Sequence, residues 1–278
     1  MKRFVRVARW FLVTIGIVVL TSFSVDATVG HNGFSQSAIA ILATSLNGKK
    51  SDCGEGMVRL GGDFSNICID AYEAVPGDAC PQSVVQNANG TRANMDIAGC
   101  KPVSVANKNP WTFVNLNQAQ ELCGRAGKRL LTNAEWYRAS VGSPDIENSD
   151  ACNVHSNSVA LGGQKAQCIS GAFVHDMIGN VWEWVDGSIE NGKYNARTVP
   201  TSGYVTEADV DGVVTKTAEG ASVDYHSDYF WSSEDGVYGM LRGGFYGSGN
   251  DAGIYSIQGK TAPSFAGNAI GFRCARNI

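Results

Sequence analysis

Eight cysteines, at positions 53, 68, 80, 100, 123, 152, 168 and 274, constrain this chain more than any other feature. Their number is even, and no two stand in the C-x-x-C spacing of a zinc or dithiol motif. In an oxidising compartment such a set reads as up to four disulfides.

The N-terminal residues point to that compartment. Lys2, Arg3, Arg6 and Arg9 precede an uncharged apolar run from Trp10 to Val25, and the small pair Val25 and Ala27 follows around Asp26. This is the layout of a secretory signal, with cleavage expected after Ala27. The run of sixteen residues falls short of the roughly 20 that cross a bilayer. An uncleaved N-terminal anchor is the alternative and the only expected membrane contact; both readings export the domain to the periplasm, the cell surface or the medium. Losing residues 1–27 removes a net charge of +3 and takes the chain from −4 to −7. A chain this acidic is not expected to bind nucleic acid.

At 278 residues and 44% hydrophobic content the chain can bury a real core. Residues 28–51 mix one short apolar segment with Gly, Ser and Lys and read as a spacer, with a loose helix expected over 37–46. The folded domain is expected over 52–278, as a monomer. Within it, short apolar runs such as "GMVRL", "NICIDAYEA" and "YGMLRGG" alternate with Gly, Asn, Asp and Ser, as short strands between loops do. One region is helical in pattern: Val114, Ala119, Leu122, Cys123 and Ala126 recur at helical spacing, Gly127 ends the helix, and Thr132 caps a second one carrying Trp136. Residues 186–236 are polar and read as a long surface excursion with a little β structure.

The motifs "CIDAYEA", "PVSVAN", "GKRLLTNAEWYRA", "DMIGNVWEWVDG", "LRGG" and "IGFRCAR" follow one another from Cys53 to Arg276. In this order the chain resembles the sulfatase-modifying factor family, whose founding members are the formylglycine-generating enzymes. The resemblance implies an α+β architecture, the C-type lectin-like fold of that family: a small twisted antiparallel sheet, two helices and much irregular loop. It also implies that Cys123 pairs with Cys274. Cys152 with Cys168 and Cys80 with Cys100 each bracket a loop and suit local pairs, which leaves Cys53 with Cys68 by elimination.

Trp182 and Trp184 alternate with Glu183, so on a strand the indoles face one way, into a core, and the carboxylate the other. A carboxylate beside bulky apolar groups needs a partner or an ion. The resemblance implies calcium, held by the Asp176 and Glu183 side chains and the Gly179 and Val181 carbonyls, oxygen ligands that suit it. The residues themselves are equally consistent with a carboxylate held by backbone N–H groups and arginine. A second calcium would use Asn153 and the Val154 carbonyl, without an evident acidic partner.

The family's enzymes bind copper(I) through two cysteines, a soft ligand pair. The family pattern places these at Ser248 and Gly253, and no cysteine lies between Cys168 and Cys274 to replace them. No copper is therefore expected. A further family disulfide falls at Ala139 and Gln258. Another branch of the family holds non-haem iron with histidines, but His31, His155, His175 and His226 are scattered. No phosphate loop, G-x-S-x-G or H-E-x-x-H motif is present.

A second resemblance, to variable proteins diversified by retroelements, rests on "RGG", "AG", "AP" and "GFR" at 242–244, 252–253, 262–263 and 271–273. Between these fixed points lie Phe245, Tyr246, Ser248, Asn250, Asp251, Tyr255, Gln258, Lys260 and Phe265. Tyrosine offers large contact area at low entropic cost, while Ser, Gly and Asn adapt, so this mixture suits a binding surface. The sequence thus points to a non-catalytic domain that binds an extracellular protein or glycan; the alternative is a divergent oxidoreductase of the same family.

Overall fold

The computed structural model describes residues 52–278. The signal segment, the spacer, its helix and His31 lie outside the described residues. Among the described residues, fifteen short strands and three α-helices alternate with long irregular connections.

The chain opens with β1 (Met57–Arg59), β2 (Ile67–Asp70) and β3 (Ala74–Pro76), then α1 (Ala88–Met95) and β4 (Pro102–Ser104). Next come α2 (Leu116–Arg125), β5 (Arg129–Leu130) and α3 (Asn133–Ser140). The stop of α2 at Gly127 and the cap of α3 at Thr132 are what the sequence suggests; the cap of α2 is additional. Asn115 caps α2 in a reciprocal box with Gln118, and Thr132 caps α3 in the same way with Glu135. At the end of α2, Gly127 adopts φ +67° and lets its N–H reach the Gly124 carbonyl while Lys128 N–H reaches Cys123, closing the last carbonyls. Helix α1 is additional to the two expected. It has no apolar stripe, buries Thr91 and Asn94, and is signalled only by its Asn87 cap.

The second half of the domain is strand-rich: β6 (Trp182–Glu190), β7 (Lys193–Tyr194), β8 (Arg197–Thr198), β9 (Gly203–Ala208), β10 (Val214–Ala218) and β11 (Tyr229–Ser232). After β12 (Val237–Arg242), β13 (Ile257–Thr261), β14 (Ile270–Phe272) and β15 (Cys274–Asn277) complete it. Strands β10-β9-β11-β13-β12-β6-β7-β8 form one sheet, with β14 also on β6, and β1-β2-β15-β5 form another. The larger sheet is mixed, because β11 runs parallel to β13 and β14 parallel to β6. The architecture is α+β, as expected, but its main sheet is nine-stranded rather than small and antiparallel.

Residues 186–236 therefore do not form the surface excursion that their polarity suggests. They supply β7 to β11 and place Ile189, Val199, Val205, Val214 and Phe230 in the core. The reason is the period of two: Val205 and Phe230 are buried, while Tyr204, Tyr229 and Trp231 between or beside them are half exposed. The short strands bury one side chain in two, and the averaged stretch looks hydrophilic.

Two apolar clusters share strand β6. Val185 and Ile189 enter one with Leu131, Trp136, Phe230 and Met240. Trp182 and Trp184 enter the other with Trp111, Leu122, Leu241 and Phe272. The buried indoles also satisfy their N–H groups, Trp184 to the Val114 carbonyl at 2.9 Å and Trp111 to Thr91 Oγ1 at 3.1 Å. Disulfides join Cys53 to Cys68, Cys80 to Cys100, Cys123 to Cys274 and Cys152 to Cys168, the pairs suggested by the sequence.

Candidate functional site

Glu183 faces away from the two tryptophans and meets Arg273, just beyond β14. The pair is 1% exposed on both sides. Arg273 Nε donates to both Glu183 oxygens at 2.9 and 2.7 Å, and Trp136 Nε1 donates to Oε2 at 2.8 Å. The remaining guanidinium N–H groups reach the Asp70 and His175 carbonyls at 3.2 and 2.9 Å. Such a pair persists in a dry interior because every donor finds an acceptor.

Two further carboxylates crowd this centre. Glu73 is buried, accepts from Asn180 Nδ2 at 2.8 Å, and is held well above the usual carboxylate range by burial and by the charges of Asp176 and Glu183. Asp176 accepts from the Gly163 N–H at 2.6 Å, and burial pushes it up to about 6. Three acids thus face one guanidinium. The structure also joins the two stretches associated with calcium, through a bridge between Asn153 and Gly179. Asn153 spends its amide on Asn180 and Ser158, and the Val154 carbonyl accepts from Gly249. The fit to calcium is partial: Asp176 and the neighbouring carbonyls are of the right chemistry, whereas Glu183 already serves Arg273.

The C-terminal segment between β12 and β14 does not form one continuous surface. Phe245 leans on the Trp184 cluster and stacks edge-on against Tyr246 with 5.1 Å between ring centres. The Tyr246 hydroxyl accepts from Asn268 at 3.2 Å. Gln258 and Lys260 follow on β13, on the face of the sheet that carries Tyr229 and Trp231. Phe265 is 53% exposed. Asn250 and Asp251 lie elsewhere, on a turn whose Asn250 side chain accepts from the Asn148 N–H through Oδ1 at 2.9 Å. Tyr255 turns inward, packing on Tyr137 and Tyr225 with its hydroxyl 3.2 Å from that of Tyr137.

Ser248 and Gly253, where the copper thiolates would stand, are both committed to structure. Ser248 Oγ accepts the Phe245 N–H at 3.0 Å and fastens the turn. Gly253 lies against the fully buried Asp228, and a Cβ there would sit 1.8 Å from Asp228 Oδ1. Asp228 in turn accepts the Tyr255 N–H at 2.7 Å, and Asp145 accepts the Ile254 N–H at 2.9 Å, so two acids hold consecutive amides. Burial raises both, Asp145 to about 7 and Asp228 well above its usual range, the latter also through Asp145. Arg242, also buried, lies 4.7 Å over the Trp136 ring and donates to the Ile254 carbonyl at 2.8 Å. Sequence reasoning missed Asp145 and Asp228, since a lone Asp in a loop carries no pattern. Among the described residues every cysteine is in a disulfide, and no three His, Cys, Asp or Glu side chains converge as a metal-ligating group.

A family model described as the sulfatase-modifying factor enzyme 1-like domain matches residues 27–278. Among solved structures, the I1 variant of Major Tropism Determinant is similar at 14% identity and a TM-score of 0.44, over 80% of this chain and 52% of that one. This chain therefore spans about half the length of that protein. Treponema denticola variable protein 1 is 15% identical at a TM-score of 0.43, covering 80% of this chain and 95% of the other. PvdO from Pseudomonas aeruginosa is 15% identical at 0.37, over 80% and 90%. No curated protein matches the sequence. With the family match spanning the whole described domain and the motifs from "CIDAYEA" to "IGFRCAR" built into its sheets and core, the chain belongs to the family of the sulfatase-modifying factor enzyme 1-like domain.

Proposed function

We propose that this chain is an exported, non-catalytic member of its family that binds an extracellular protein or glycan through the C-terminal segment. The observation that carries the reading is the fate of positions 248 and 253. A hydroxyl that caps a turn and a glycine pressed on a buried carboxylate stand where a thiolate pair is required, and the second position has no room for a side chain. Four disulfides in a domain of this size support export.

Tyr246, Lys260 and Phe265 present partly or fully exposed side chains without being needed for the core. Aromatic and amphipathic groups of this kind contribute contact area at modest ordering cost. Calcium belongs to the same reading, as a structural ion at Asp176 and the Gly179 and Val181 carbonyls, where it would balance the surplus carboxylate charge.

The test is a screen of the labelled protein against cell surfaces and a glycan array. Binding is expected, and the combined Tyr246→Ala, Lys260→Ala and Phe265→Ala variant should weaken it at least about tenfold with its melting temperature retained. Binding that survives the triple change, or oxygen consumption by protein loaded with copper or iron, would overturn the reading.

A further inference from the structure

A row of aromatic rings crosses the face of the main sheet that looks away from Phe230. Tyr204 on β9 meets Tyr229 on β11 with 5.1 Å between ring centres, Tyr229 meets Trp231 at 4.6 Å, and Trp231 meets Trp182 on β6 at 5.7 Å. The period of two puts them there. Val205, Phe230 and Ile257 enter the core, so Tyr204, Tyr229, Trp231 and Gln258 beside them face the other way. The register lines them up, with Tyr204 opposite Tyr229 and Trp231 opposite Gln258. Helix α2 and the cluster around Trp184 cover this face over β6, whereas Tyr204, Tyr229, Trp231 and Gln258 are half exposed and Lys260 is exposed.

The polar ends of this row are unspent. Trp111, Trp136 and Trp184 bond their indole N–H groups to Thr91, Glu183 and the Val114 carbonyl. The indole N–H groups of Trp182 and Trp231 have no partner among the described residues, and neither is a buried orphan, so both reach solvent. The Tyr204 and Tyr229 hydroxyls are in the same state. Gln258 accepts the Lys260 N–H through Oε1 at 3.0 Å and keeps its amide nitrogen for another acceptor. The outward positions of β9, β11 and β13 hold no carboxylate and no large aliphatic side chain, and Lys260 is their one charge.

A pyranose ring has apolar C–H faces and a rim of hydroxyls, and a row of rings edged with N–H and O–H groups complements both. A protein partner is a poorer fit. The half-covered rings offer on the order of 300 Å² of aromatic surface, against roughly 800 Å² per partner in a standard protein interface. The strip also lacks the deep, packed pocket in which a protein anchor is held. We propose that it binds a linear oligosaccharide of equatorially linked pyranoses, a flat ribbon whose ring faces lie on Tyr204, Tyr229 and Trp231. The ribbon's hydroxyls meet the two indole N–H groups, Gln258 and Lys260. The proposal rests on the reading of the C-terminal segment as a ligand surface, since Lys260 belongs to both, and it narrows the ligand to a glycan.

The probes are cellohexaose and chitohexaose, titrated into the purified protein while its indole N–H signals are followed by NMR. Saturable shifts at Trp182 and Trp231 are expected with at least one of them, at a dissociation constant of about a millimolar or below. Trp111, Trp136 and Trp184, already bonded, should move at least about fivefold less. Glucose at an equal concentration of rings should act at least about fivefold more weakly, because one ring engages one step of the row. Tyr229→Leu with Trp231→Leu keeps apolar bulk and removes the flat faces, and should weaken binding read at Trp182 at least about tenfold. Should that variant not fold, Gln258→Ala with Lys260→Ala, both at the surface, should weaken it at least about threefold.

No saturable shift with either probe, or equal shifts at every indole, would refute the strip. Cell binding that disappears both on protease treatment of the cells and in the Tyr229→Leu, Trp231→Leu variant would assign the strip to a protein and refute it as well. If the two indoles respond while the Tyr246→Ala, Lys260→Ala and Phe265→Ala change leaves cell or array binding intact, the wider reading fails and the strip stands. If that triple change abolishes binding while the indoles stay silent, the strip fails and the wider reading stands.

Discussion

Replacing Gly253 with alanine tests whether this domain has physically closed the place where the family resemblance implies a thiolate. An added Cβ would approach Asp228 to 1.8, 2.6 and 2.4 Å at Oδ1, Oδ2 and Cγ, where ordinary contact begins at 3.4 Å. The carboxylate must therefore move by well over an ångström. It has no free direction, because it is fully buried and its Oδ2 holds the Tyr255 N–H. Overpacking of this kind costs roughly 1–3 kcal/mol, and weakening the Tyr255 bond adds about 1, so a loss of about 2–4 kcal/mol is expected. In a domain of this size that lowers the melting temperature by roughly 4–16 °C. The backbone at Gly253 is not in the left-handed region, so the effect is steric. The assay is calorimetry on Gly253→Ala, Asp228→Ala and the double variant. With Asp228 shortened, the alanine at 253 should cost under about 1 kcal/mol, a coupling of about 1–3 kcal/mol. A cost below about 0.5 kcal/mol in the parent, or the same cost in both backgrounds, would show that the position is open and that the argument against a thiolate is wrong.

Three other outcomes follow from the buried charges. Glu183→Gln and Arg273→Met should each cost about 3–5 kcal/mol by stranding the partner, with the double variant less damaging than the sum, read by urea denaturation. For pH, Asp145, Asp176, Glu73 and Asp228 all have folded values raised above their unfolded ones, chiefly by burial. The unfolded chain releases these protons near pH 4 and the fold keeps them, so stability falls as pH climbs from about 4 to about 7. Asp145 alone accounts for up to about 4 kcal/mol, reduced to about 2 by its partial exposure to solvent. His175, lowered by burial and by Arg273, opposes this below its usual value. The melting temperature should be higher at pH 5 than at pH 7.5, and the reverse order would refute the assignment. Calcium at Asp176 should raise the melting temperature relative to chelator-treated protein, by about 3 kcal/mol of stabilisation at a hundredfold excess over its dissociation constant, whereas equal melting curves would remove the ion from the reading.

Local chemistry was the most legible part of the sequence. The cap at Thr132, the stop at Gly127 and the two-faced strand around Glu183 each depend on a few neighbouring residues, and the fold kept all of them. Longer-range organisation was harder to read. The 186–236 region joins the main sheet through partners such as Gln258 and Ile257, far along the chain, and nothing in its own polarity announces them. The same holds for the candidate site. Tyr255 reads like a contact residue by composition, yet it packs on Tyr137, more than a hundred residues earlier. Asp145 and Asp228 matter because they converge on Ile254 and Tyr255, a meeting that spacing does not encode.

Strand β15 pairs with β2 on one side and β5 on the other, and Cys274 at its start is bound to Cys123 in α2. The middle of the four-stranded sheet is therefore supplied by the stretch made about two hundred residues after β2. During synthesis β2 must wait, with one edge unpaired, until nearly all of the domain has followed it. Vectorial folding is thus denied to this sheet, and an unpaired edge is an invitation to wrong partners. A domain built this way closes once, when its last strand slides into the gap and the bond between Cys123 and Cys274 locks it there.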